Sequence, residues 1–139
     1  MPQFEVDKEI NGSLDKAWDV VAAFGECGWI PGIDGCELEG EGIGSVRKLK
    51  MGGMEIHERL EAFDPEARTL SYSIIAGPMP TENYLATIIL SAGSGGKVRV
   101  QWGAKFDVPG MDDAAANGLA QGIECSYSGM ADALGAAIA

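Results

Sequence analysis

The chain is poor in the residues from which metal and nucleophile sites are built. Among 139 residues there is one histidine and there are three cysteines. The cysteines are Cys27, Cys36 and Cys125, and no Cys-x-x-Cys spacing occurs, so no metal site is expected. A sparse, odd set of thiols fits a reducing compartment, which makes a cytoplasmic location the expectation. Basic residues are scarce too: 10 Lys+Arg stand against 21 Asp+Glu, a net charge of −11. That balance lacks the basic footprint that nucleic acid or an anionic membrane surface demands. Long apolar runs are missing as well. The longest, Tyr84 to Leu90, falls far short of the roughly 20 residues of a membrane span. Met1-Pro2-Gln3-Phe4-Glu5 carries neither a basic nor an apolar segment, so no secretory signal is expected. There is no Gly-rich phosphate loop and no nucleophile–His–acid set, and no cofactor is expected.

What remains is an ordinary globular composition, 46% hydrophobic. The length suits one domain over residues 1–139, able to bury roughly 70% of its unfolded surface. Gln3 to Ile10 alternates as a strand. Asn11-Gly12 breaks it, Ser13 is a good N-cap, and an apolar stripe of Leu14, Ala17, Trp18 and Val21 predicts a helix from Leu14 to about Phe24. Gly25 to Gly32 reads as a short helical piece carrying Trp29. Glycines and prolines divide the next stretch into six strands: Cys36–Glu39, Ser45–Met51, Met54–Phe63, Thr69–Ala76, Tyr84–Ser91 and Lys97–Phe106. Tight turns make the sheet antiparallel. A final helix begins near Met111, with Leu119, Ile123, Tyr127, Met130, Leu134 and Ile138 forming one stripe. Gly118, Gly122, Cys125, Gly129 and Ala133 form a second, small-residue stripe. It could widen a cavity, lie close on the sheet or pack against a second copy in a homodimer.

Alternation assigns faces. Met54, Ile56, Glu58 and Leu60 share one face of their strand, and Glu55, His57, Arg59 and Glu61 the solvent face. Leu70, Tyr72 and Ile74 point inward, as do Tyr84, Ala86, Ile88 and Leu90, and Val98, Val100, Trp102, Ala104 and Phe106. Gly52-Gly53 reads as a two-residue hairpin turn. It sets Met51 against Met54, Leu49 against Ile56, Arg47 against Glu58 and, on the outer side, Lys50 against Glu55. The next turn is expected to bring Tyr72 opposite Glu58. An ion pair on an apolar face is the informative feature. Two roles stay open for it: Arg47 and Glu58 hold strand register, or Glu58 anchors a ligand or moves protons. Tyr72 and Tyr84 are the polar handles beside it. The candidate ligand set comprises Trp29, Arg47, Ile56, Glu58, Tyr72, Ile74, Tyr84 and Trp102, with Leu119, Ile123 and Tyr127 from the last helix. Asp34 reads as a turn residue, and His57 as solvent-facing.

Several local runs resemble a known family. They are Gly44-x-x-Arg47, Glu58-Arg59-Leu60-Glu61 with Asp64, Ser73-Ile74-Ile75-x-Gly77, and Asn83-Tyr84. In order and spacing they are similar to stretches of the helix-grip superfamily, which takes in START-type lipid carriers, birch-pollen allergens, plant abscisic acid receptors and bacterial polyketide cyclases; they most resemble the bacterial polyketide cyclase/dehydrase and lipid-transport branch, with local similarity to the plant receptors. The resemblance implies an α+β helix-grip fold, a seven-stranded curved antiparallel sheet wrapped around a long C-terminal helix. It further implies a partner that is a small apolar, aromatic or polyketide-like molecule. In the receptors, residues matching Glu58, Tyr72, Tyr84 and Trp102 line the ligand pocket. The receptor gate is here shortened to Met51-Gly52-Gly53-Met54, and the latch is replaced by Met79-Pro80-Thr81. A gated hormone response with a phosphatase partner is therefore not implied. The family hosts carriers and enzymes alike. The alternative to binding is a cofactor-free cyclase, dehydratase or lyase with Glu58 as general acid/base and Tyr72 or Tyr84 as polarising groups.

Overall fold

The structure is a computed structural model that describes residues 2–139. Seven strands form one antiparallel sheet in the order β1-β7-β6-β5-β4-β3-β2. They are β1 Gln3–Ile10, β2 Gly35–Glu39, β3 Val46–Met51, β4 Met54–Asp64, β5 Thr69–Ala76, β6 Glu82–Ala92 and β7 Val98–Asp107. Helix α1, Leu14–Ala22, lies between β1 and β2, and helix α2, Asp113–Ala137, follows β7 and packs against β1, β7 and α1. Among the described residues no helix is long and apolar enough to cross a membrane.

Each helix starts where its sequence provides a cap. The Ser13 side chain accepts from Lys16 N at 3.3 Å, and the Asp112 carboxylate from Ala115 N at 2.8 Å. Each cap satisfies one of the orphan N–H groups of a first turn. Helix α1 stops at Ala22, two residues earlier than its stripe suggests, and the chain turns Phe24 into the core. The expected helical piece at 25–32 is absent. Only isolated turns form there, Glu26 N to Ala23 O and Ile30 N to Cys27 O. Three glycines and Pro31 in eight residues explain why: each glycine raises the cost of a helix, and proline restricts the residue before it.

The hairpin at Gly52-Gly53 forms as its sequence predicts. Both glycines have positive φ, 54° and 83°, as the tight twisted turn requires. Asp34 Oδ2 accepts Gly52 N at 2.8 Å and ties the turn to the loop before β2. The register pairs Arg47 with Glu58, Leu49 with Ile56 and Met51 with Met54. Lys50 lies opposite Glu55 but makes its closer ion pair with Glu37 at 3.6 Å, while Glu55 bonds the outward-facing His57 at 2.7 Å. The β4–β5 register differs from expectation. Irregularities between His57 and Glu58 and between Leu60 and Ala62 place Ile74, not Tyr72, opposite Glu58, and Tyr72 opposite Leu60. An extra residue in one strand shifts pairing by one and bends the sheet.

The core lies between the sheet and the helices. Phe106, Ile88, Leu90, Val98, Val100 and Leu134 are fully buried there. Each such side chain contributes about 1.5–3 kcal/mol of apolar burial. On α2 the buried stripe is Ala116, Ile123, Tyr127, Ala131 and Leu134. The opposite face carries Gly118, Gly122 and Gly129, where an added Cβ would meet nothing within 4 Å. The small-residue stripe thus faces away from the sheet and widens no cavity.

Candidate functional site

Strand register builds the first part of the site. Arg47 on β3 and Glu58 on β4 are buried, each 7% exposed. Arg47 Nε donates to Glu58 Oε1 at 2.8 Å, and Nη2 lies 2.7 Å from the same oxygen. Nη1 donates to the Phe24 carbonyl at 3.2 Å. The guanidinium sits over the Phe24 ring, 4.1 Å from its centroid, and 5.1 Å from that of Tyr72. Burial, the largest single effect, works against the charge on Arg47, but Glu58 together with Tyr72 and Cys27 leaves the pKa above its ordinary value. Among the described residues, none donates a hydrogen bond to Glu58 Oε2. That oxygen is not sealed off either, since no fully enclosed side-chain oxygen lacks a partner.

A chain of hydroxyls builds the second part. Trp102 Nε1 donates to Tyr72 OH at 3.2 Å, Tyr72 OH donates to Tyr127 OH at 3.0 Å, and Tyr127 OH meets Tyr84 OH at 2.5 Å. Three strands and α2 contribute one ring each. Tyr84 points inward by the same alternation as the buried Ala86, Ile88 and Leu90, and the β6–β7 register shifts between Glu82 and Leu85 just beside it. Asn83 there takes a left-handed conformation, φ 53°, and its side chain donates to Asp107 at 2.9 Å. Asparagine tolerates that geometry better than most residues. Burial pushes the phenols of Tyr72 and Tyr127 well above their ordinary values and raises that of Tyr84 as well.

The two parts share one cavity of about 150 Å³ between the sheet and α2. Its wall takes Arg47, Leu49 and Met51 from β3, Ile56 and Glu58 from β4, Tyr72 and Ile74 from β5, and Tyr84 from β6. Ile123, Ser126, Tyr127 and Met130 come from α2, and Ile30 and Met79 from loops. The structure thus brings eight of the residues singled out in the sequence to one surface: Arg47, Ile56, Glu58, Tyr72, Ile74, Tyr84, Ile123 and Tyr127. Trp29, Trp102 and Leu119 are not on it. Trp102 packs behind, its ring centroid 4.9 Å from that of Tyr127 and 6.2 Å from that of Trp29. Leu119 packs against the apolar core instead.

The remaining wall residues escaped the sequence reading for different reasons. Leu49 and Met51 share the alternation parity of Arg47, and Met130 stands on the α2 stripe, so these carried a usable signal. Ile30 and Met79 lie in loops with no periodicity. Ile30 is fixed by Cys27, which packs with it and Leu49; Cys27 Sγ is 2.7 Å from Cys36 Sγ and 3.4 Å from the Phe24 carbonyl. Chemically, the cavity combines a mostly apolar wall with the Glu58 carboxylate and three phenol hydroxyls, and the guanidinium that holds Glu58 lies 5.1 Å from the Tyr72 ring centroid.

Comparison with known proteins agrees with this architecture. Among solved structures, the protein XoxI from Bacillus cereus is 33% identical, with 99% of this chain and 96% of that one covered and a TM-score of 0.82. An uncharacterised protein from Bacillus thuringiensis is 31% identical over 99% of this chain and 98% of its own, with a TM-score of 0.85. Norcoclaurine synthase from Thalictrum flavum, solved with dopamine and hydroxybenzaldehyde, is 18% identical over 99% and 86% of the two chains, with a TM-score of 0.77. It shares the fold. No curated protein sequence matches the chain. Residues 1–135 match the family described as polyketide cyclase / dehydrase and lipid transport, and the chain belongs to that family.

Proposed function

We propose that the chain binds a small apolar molecule, about one aromatic ring in size, in the cavity between the sheet and α2. The observation that carries this reading is the cavity itself, about 150 Å³ and lined mostly by apolar side chains. Apolar cavities of roughly that volume stay dry and accept benzene. Polyketide-like guests need pockets of roughly 300–1,000 Å³. For these the half-buried Met51, Met79 and Met130 on the cavity wall would swing aside, which their unbranched side chains allow. That norcoclaurine synthase was solved with two aromatic molecules supports the capacity of this fold for such guests. Native mass spectrometry of the purified protein tests the reading. A small molecule should co-purify and leave on denaturation; a protein that arrives empty and takes up no aromatic guest would contradict it.

A second reading is cofactor-free lyase, cyclase or dehydratase chemistry. The free Oε2 of Glu58 favours it, because a general base needs an unoccupied oxygen within reach of a proton. Tyr72 or Tyr84 would polarise a carbonyl or hydroxyl on the substrate. Glu58→Gln should then lower turnover by about 100-fold or more with affinity largely kept.

A further inference from the structure

The polar side chains on the cavity wall have a hydrogen-bond inventory that does not close. Tyr72, Tyr84 and Tyr127 bring three hydroxyl hydrogens, and the cluster contains two hydroxyl–hydroxyl contacts. The Trp102 N–H is a further donor, and it occupies an acceptor position on Tyr72. Two contacts consume two hydrogens however they are oriented, and among the described residues no other acceptor bonds these hydroxyls. One O–H is left over, and all three tyrosines stand on the cavity wall. Opposite in kind, Glu58 Oε2 is an acceptor without a donor, on a side chain more than nine-tenths buried. Arg47 does not meet that need, because its Nε and Nη2 turn to Oε1 and its Nη1 to the Phe24 carbonyl. Glu58 Oε2 is open to water, and a guest that fills the cavity shuts that water out, so a guest that satisfies both groups is favoured over one that satisfies neither.

We infer that this cavity is built for a neutral hydroxyl on a small aromatic ring: the hydroxyl donates to Glu58 Oε2 and accepts the spare tyrosine O–H. This rests on the binding proposed above. A hydrocarbon leaves both ends unmet. An ether oxygen meets only the tyrosine. A carboxylate brings a negative charge against Glu58. A phenol hydroxyl, one donor and one acceptor on a single oxygen, meets both. The volume of about 150 Å³ holds the attached ring and little more.

The test is a titration of the wild-type protein with phenol, anisole, toluene and benzoate, followed through the methyl resonances of Ile74 and Ile123. Phenol should bind about tenfold or more tighter than toluene, although its hydroxyl is harder to take out of water. Anisole should fall between them, and benzoate should be weakest. In Glu58→Gln an amide N–H₂ can take the place of Oε2, and the advantage of phenol over anisole should vanish. If that variant does not fold, the ligand series on the unaltered protein still decides. Toluene binding as tightly as phenol, or benzoate binding tightest, would overturn the inference and leave ring binding intact. Four ligands that move neither resonance would overturn the binding proposal itself.

Discussion

Arg47 Nε and Glu58 Oε1 meet at 2.8 Å across the β3–β4 hairpin, and the register of that hairpin puts both side chains on the inner face. Breaking such a buried pair from one side leaves an uncompensated charge, whereas replacing both partners removes the desolvation cost of both. Glu58→Gln should therefore cost about 3–5 kcal/mol in a denaturant titration. The double replacement Arg47→Met, Glu58→Leu should regain most of that loss. A Glu58→Gln protein as stable as wild type would mean that the carboxylate is solvated and that the inner face is displaced by one residue.

All three tyrosines of the chain belong to the buried hydroxyl cluster, and burial raises each phenol above its ordinary value. A group whose folded pKa is raised contributes stability that is complete below its unfolded value, here 10.0 for Tyr84, and that is lost as pH rises above it. Tyrosinate absorbance should therefore stay low in the folded protein above pH 10 and appear together with unfolding. Independent titration of the three phenols near pH 10, with the fold retained, would contradict the cluster.

Cys27 is buried beside Cys36, and burial first, then the Cys36 contact, pushes its thiol up to about 12. Cys125 is exposed on α2. At pH 8 an alkylating reagent should modify Cys125 readily and leave Cys27 intact until the protein unfolds. Mass mapping of the alkylated peptides gives the order. Early modification of Cys27 would mean that the loop over Ile30 is open.

Positive φ at Gly52 and Gly53 makes the hairpin turn specific for glycine. Replacing either by alanine should cost about 1–2 kcal/mol through backbone strain alone. Thermal denaturation of each variant measures it, and unchanged stability in both would contradict the turn geometry.

The parts of the fold legible in the sequence are those governed by local periodicity and turn chemistry. Alternation located the strands to within a residue or two, and Gly52-Gly53 fixed the Arg47–Glu58 pairing because a two-residue turn leaves one register. The β4–β5 pairing was not legible. The turn at Pro65–Arg68 gives no unique register, and the irregularity between Leu60 and Ala62 has no signature in side-chain pattern. The same limit hid the position of Trp102. Its parity is inward, but parity cannot say that Tyr127 covers it. Nor could any sequence pattern find the Phe24 carbonyl, a backbone acceptor that holds Arg47 only once α1 ends at Ala22.

Entry of a ring-sized guest into the cavity is open to direct measurement by methyl NMR of the protein titrated with toluene. Ile74 and Ile123 line the cavity, whereas Ile89 lies on the outer side of the sheet. Saturable shifts are expected at Ile74 and Ile123 and none at Ile89, with the effect lost when Ile123→Trp fills the space. Shifts at Ile89 with Ile74 and Ile123 silent, or binding undiminished in Ile123→Trp, would contradict it.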